Sequence, residues 1–162
     1  MPATISKPMI PAVGAQCPGT PDRQTTNGSE LRLNISVVFT SVNATLGALR
    51  AAGALASRLH ARITLVVPEV VSYQLPLDKP PVQHDWNERR FHVLASKNSV
   101  ETVVRFYLCR DRDETLARVL EPHSLIVIGG KKRWWPTAES RLAARLRNLG
   151  HEVILAGTGP VA

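Results

Sequence analysis

The chain has 162 residues, 44% of them hydrophobic, with a formal charge of +7 and a pI near 10.1. That is the apolar content of one domain with a sizeable core, and the charge favours anionic partners (nucleotide, nucleic acid or an acidic membrane surface) without bearing on fold. Cys17 and Cys109 stand far apart with no CxxC, which excludes a disulfide framework and a cysteine-based zinc site and fits a reducing cytoplasm.

The first segment, "MPATISKPMIPAVGAQCPGTPDRQTTNGSE", is broken by five prolines and a glycine-rich spacing. It offers no apolar core of signal-peptide length. Residues 1–31 therefore read as a disordered tail ahead of an α/β domain at 32–158. No later apolar run approaches the roughly 18 residues of a membrane helix, so no membrane partner is expected.

From Leu33 onward short β-branched runs alternate with helical patterns. "ISVVF" (35–39), "ITLVV" (63–67), "TVVRFYL" (102–108), "LIVIG" (125–129) and "EVILA" (152–156) are continuous rather than alternating apolar runs. Strands of that kind are buried on both faces, as in a parallel sheet covered by helices. After the first run, Asn43 is the predicted cap of a helix "ATLGALRAAGALASRLHA", whose polar residues Arg50, Ser57 and Arg58 share one face. "VSYQLPLDKPPVQH" is too rich in proline for regular structure. Asp85 with Glu88 forms a capping box ahead of a short helix, "WNERRFHVLAS". A third helix spans about 113–120 and stops before Pro122. The last is capped by Thr137, carries a stripe of Ala138, Leu142, Ala143, Leu146 and Leu149, and ends at Gly150, a residue suited to the left-handed position. Strand, helix, strand in succession gives right-handed crossovers and an open α/β sheet.

The succession "ISVVFTSVNATLGALRAAGALASRLHARITLVV", "VETVVRF", "SLIVIGG" and a helix leading to "HEVILAG" resembles the universal stress protein family over residues 33–157. The resemblance implies a single Rossmann-like, open, parallel five-stranded sheet in the order 3-2-1-4-5 with helices on both faces, and a homodimer paired along the last strand. It also implies a stress-response or regulatory role without catalysis. Members that bind ATP carry a motif G-x2-G-x9-G-S/T between the fourth strand and the last helix, where backbone amides, a hydroxyl and a helix N-terminus receive phosphates. Here Gly129 matches the first glycine and Ser140 the hydroxyl. Lys132 replaces the second glycine, Glu139 the third, and the segment between is short of the motif's length. Thr40 stands where the family has an acidic residue beside the nucleotide. The cofactor-contacting positions that the resemblance carries over are thus Thr40, Val67, Gly129, Gly130, Lys132 and Ser140. The motif reads as a remnant, and conventional ATP binding is not expected. An ATP-binding sensor of the same family is the alternative.

Lys131, Lys132 and Arg133 follow a central strand at its carboxyl end, where open α/β sheets dock ligands. They read either as a solvated loop or as a charge-based anion contact, with nucleic acid a weaker third reading. Trp134 and Trp135 could cover an interface or stack on a base. His60, His84, His92, His123 and His151 fall in different elements and define no metal set. Asp111 and Asp113 read as capping and solvated residues, and Arg105, within an apolar run, as the mark of an edge strand. No GxSxG, Walker or HExxH motif occurs.

Overall fold

The computed structural model describes residues 33–77, 89, 91, 93, 96, 100–130 and 136–157. The tail at 1–31, the Asp85–Glu88 capping box, and Lys131 to Trp135 lie outside them. The described elements run β1 (Asn34–Val38), α1 (Val42–Leu59), β2 (Arg62–Val70), β3 (Thr102–Cys109), α2 (Arg112–Val119), β4 (Leu125–Gly130), α3 (Ala138–Asn148) and β5 (Glu152–Gly157). Between β2 and β3, Arg89, Phe91, Val93 and Ser96 have helical backbone.

All five strands pair in parallel in the order β3-β2-β1-β4-β5, as the sequence pattern and the resemblance imply. Successive side chains of a strand leave on opposite faces, so each continuous apolar run supplies two layers at once. Ile35, Val37, Ile63, Leu65, Val104 and Val127 pack with the alanine-rich side of α1, through Ala48, Leu49, Ala52 and Ala56. Val38, Val66, Ile126, Ile128 and Val153 pack on the other face against Leu116 of α2 and Leu142, Ala143 and Leu146 of α3. The exposed side of α1 carries Arg50, Ser57 and Arg58, as expected, and Arg105 is exposed on the edge strand β3.

Two local expectations are corrected. Ser41, not Asn43, caps α1: its side chain accepts from the Ala44 N–H at 3.4 Å. The chain leaves β1 at Val38 and needs a capping oxygen at once, so the earlier of two competent residues takes the position. In α3 the buried stripe narrows to Leu142, Ala143 and Leu146, because Ala138 and Leu149 lie beyond the sheet's cover and are exposed. The cap by Thr137 and the left-handed Gly150 (φ 90°) are as predicted. Asp111 caps α2 by accepting from Glu114 N–H at 2.8 Å, and Asp113 reaches Arg145 of α3 at 3.5 Å.

Candidate functional site: the carboxyl end of the sheet

In an open α/β sheet the ligand crevice lies outside the carboxyl ends of the strands, where the strand order reverses. Here that point lies between β1 and β4. Thr40 is tied down on both sides of it. Its backbone N–H donates to Thr45 Oγ1 at 3.3 Å, and its hydroxyl donates to the Gly129 carbonyl at 3.2 Å. The two strand ends are thereby latched together.

Gly129 is a glycine for a reason that involves no ligand. A Cβ built on it would fall 1.8 Å from the Ala44 carbonyl oxygen and 2.9 Å from the Ala44 Cα. The first turn of α1 thus rests directly on the backbone of β4. At Gly130 the neighbour is Glu139, whose Cβ would lie 3.1 Å from an added Cβ. The carboxylate-bearing residue of the first turn of α3 therefore stands over the strand end, where it also complements the positive end of the helix dipole. Ser140 is spent locally, its N–H donating to Thr137 Oγ1 at 3.2 Å and its hydroxyl to the Thr137 carbonyl at 2.9 Å. Of the six residues singled out from sequence, Thr40 and Gly129 are in contact, and Gly130 meets the turn that holds Ser140. Lys132 lies outside the described residues.

Val67 belongs to a different feature. β2 and β3 stay paired out to Val70 and Cys109, past Phe39 at the end of β1, whose N–H still donates to the Val66 carbonyl. Under this overhang lies a cavity of about 160 Å³, lined by Val67, Pro68 and Glu69 of β2, Phe106 of β3, Phe39, Val42 and Phe91. Phe91 meets Phe39 edge-on, with centroids 4.8 Å apart at 89°, and Phe106 at 5.4 Å and 71°. These are all three phenylalanines of the chain. The sequence reading missed the cluster because its members sit in three separate elements. The available signal was that two of them, Phe39 and Phe106, fall at the carboxyl ends of strands.

The overhang is braced at its tip. Arg110 donates to the carbonyls of Val71 (3.0 Å), Ser72 and Leu75 (2.6 Å), and its guanidinium lies 5.2 Å from the Tyr73 ring centre. The buried Cys109 thiol donates to the Glu69 carbonyl at 3.5 Å, and burial pushes its pKa up, the opposite of what a reactive thiol needs. At the far end of the sheet, His123 Nδ1 donates to the Gly150 carbonyl at 3.2 Å, while the buried His151 shares a hydrogen bond of 3.1 Å with Ser124 Oγ. Burial holds the His151 imidazole below its usual range, and the neighbouring His123 adds to the shift. Among the described residues no three His, Cys, Asp or Glu side chains gather as a metal site, and no helix is long and apolar enough to cross a membrane.

Sheet order and switch point together define an open α/β domain covered on both faces, with its crevice latched by Thr40 and Gly129. More narrowly, its fold is that of the universal stress proteins. A universal stress protein crystallised in complex with cAMP matches 78% of this chain and 98% of its own, at 15% identity and a TM-score of 0.52. A universal stress protein family member from Burkholderia pseudomallei matches 75% and 93%, at 23% identity and 0.50. One from Archaeoglobus fulgidus matches 76% and 97%, at 12% identity and 0.51. No protein-family model and no curated protein matches the chain. At these identities the likeness establishes the fold alone.

Proposed function

We propose that this chain is a regulatory module of the stress response, of universal-stress-protein type and cytoplasmic. In this reading it acts by pairing with itself or with a partner rather than by catalysis, and it holds a polyphosphate weakly or not at all. The observation that carries the reading is the state of the phosphate end. Gly129 is consumed by packing against Ala44, the Ser140 hydroxyl is consumed by Thr137, and Glu139 stands over Gly130. A triphosphate placed there would approach the acidic Glu139, whose Cβ and Cγ lie against Gly130. The opposing reading, an ATP sensor, draws support from the cAMP-bound neighbour, since this fold can accommodate an adenine nucleotide.

Calorimetry separates the two. ATP with magnesium is expected to bind with Kd at or above about 1 mM, equivalent to about −4 kcal/mol, and micromolar affinity would overturn the proposal. Removing the repulsion by Glu139→Gly should strengthen any residual binding, and Lys132→Ala should weaken it.

Pairing is expected at β5, the edge strand beside β4. The Glu152 N–H donates inward to the Ser124 carbonyl, so by alternation Val153, Leu155 and Gly157 turn their backbone groups to the open edge. The Val153 side chain is buried, and its carbonyl already accepts from Arg147 Nη2 at 2.7 Å. The pairing seam therefore centres on Leu155, which is 42% exposed, with Val153 contributing less than its apolar character implies. A two-fold partner offering the same strand satisfies both edges at once. Leu155→Lys should shift a dimer to monomer in sedimentation velocity. A wild-type protein that stays monomeric at tens of micromolar would defeat the pairing.

A further inference from the structure

The amino end of the sheet, opposite the crevice, carries a set of contacts built on two histidines. Three hydrogen bonds join the turn before β4 to the turn before β5. The Glu152 N–H donates to the Ser124 carbonyl at 3.1 Å, His123 Nδ1 donates to the Gly150 carbonyl at 3.2 Å, and Ser124 Oγ and His151 Nδ1 share a bond of 3.1 Å. His123 and Gly150 both have left-handed backbone, with φ of 56° and 90°, and a Cβ built on Gly150 would lie 3.4 Å from the His123 ring. A conformation that few non-glycine residues adopt thus sets the ring against the turn, and the start of β5 is held to β4.

His151 is 8% exposed, and by alternation it shares the face of Val153, toward α2 and α3. The charged groups of those helices are engaged elsewhere. α2 brings Arg118, paired with Glu114, while α3 brings Arg145, paired with Asp113, and Arg147, which donates to the Val153 carbonyl. Glu121 is exposed in the turn before β4, and Glu152 leaves on the opposite face, that of α1, whose last turn carries Arg58. Among the described residues neither histidine has a carboxylate partner. A proton on His151 would be a buried charge without compensation, beside a second imidazole, and such charges are costly. We propose that His123 and His151 form an acid-sensitive clasp: neutral, it fastens the start of β5 to β4, and charged, it releases that junction while the rest of the sheet stays closed.

Burial, with the neighbouring His123, lowers the His151 pKa in the closed form. Below about pH 6.5, the ordinary histidine value, the opened form therefore binds the proton first. The clasp is at full strength above that pH and weakens as the pH falls toward the closed-form pKa. For one proton the opening equilibrium rises by at most about tenfold per pH unit.

Native-state hydrogen exchange on the full chain, at about pH 7.5 and about pH 5.5 with intrinsic rates corrected, tests the clasp. The amides of Gly150, His151 and Glu152, bonded to Arg147, Leu146 and Ser124, should lose about three- to tenfold of their protection at the lower pH. Those of Phe39 and Ile63, bonded to Val66 and Glu101, should keep theirs. His151→Asn leaves a polar atom near the Nδ1 position that takes up no proton, and should abolish the loss. His123→Asn suits left-handed backbone and should diminish it. Equal protection of the wild type at both pH values, an equal loss at Phe39 and Ile63, or a loss undiminished in either variant overturns the proposal. Should His151→Asn not fold, NMR titration of the wild-type histidine rings decides: a His151 midpoint below the ordinary histidine value supports the clasp, and one at or above it overturns it.

Discussion

Gly129→Ala is expected to destabilise the fold by about 3–5 kcal/mol, at the far end of single-residue effects. The added methyl group would sit 1.8 Å from a backbone oxygen and 2.3 Å from its carbonyl carbon. No rotamer change relieves a clash with backbone. Either the first turn of α1 lifts from the sheet or β4 moves, and β4 is paired on both sides, to β1 and β5. Ordinary overpacking costs about 1–3 kcal/mol. Here the displaced element also carries the Thr40–Gly129 hydrogen bond, whose loss adds about 1 kcal/mol.

Two neighbours calibrate the measurement. Gly130→Ala meets only the Glu139 side chain at 3.1 Å, and Gly157→Ala meets nothing within 4 Å, so both should stay within about 1 kcal/mol of wild type. Urea unfolding of the three variants decides between two roles for the same glycine. If Gly129 serves a ligand, its alanine variant keeps the wild-type midpoint; if it seats α1 on β4, the midpoint collapses.

The fold was legible because its signal is redundant. The five apolar runs are long enough to mark strands of a covered sheet, and the first and last helices each carry an apolar face in the sequence. Finer placements failed where two residues could do one job, as Ser41 and Asn43 could both cap α1. Solvent cover at an element's end is likewise set by neighbours and not by pattern, which is why Leu149 and Ala138 emerged exposed. The site was less legible still. The sequence shows a glycine at 129 but not that the backbone of Ala44 comes within contact of it, so a packing glycine and a phosphate glycine look alike. Glu139 and Ser140 could be read by analogy, yet whether the Ser140 hydroxyl is available depends on a bond to Thr137 that only the local geometry reveals. Phe39, Phe91 and Phe106 converge through three different elements, and convergence of that kind leaves no periodic trace.

Phe91→Ala should cost about 3 kcal/mol and would be the second large effect. Phe91 is 6% exposed and belongs to the core layer shared with α1. Its ring joins Phe39 at the end of β1 to Phe106 of β3, and so holds the helical stretch between β2 and β3 onto the sheet. Truncating a buried phenylalanine removes its transfer free energy and leaves a hole, together about 3–5 kcal/mol. The two edge-to-face contacts, each worth about 0.5–1.5 kcal/mol, contribute within that figure. The lower end is expected because the new space merges with an existing cavity of about 160 Å³. Water or a rearranged side chain can occupy such a space more readily than a sealed void. Phe91→Leu keeps most of the volume and should cost less than about 1.5 kcal/mol. Hydrogen exchange adds a readout that a uniformly weakened core would not give. Amides of the helical stretch at Arg89, Phe91, Val93 and Ser96 should lose protection by local opening, while those of β1 and β4 follow the global unfolding free energy. If Phe91→Ala unfolds within about 1 kcal/mol of wild type, the aromatic cluster does not anchor that stretch, and the wall of the cavity on that side is not fixed by Phe91.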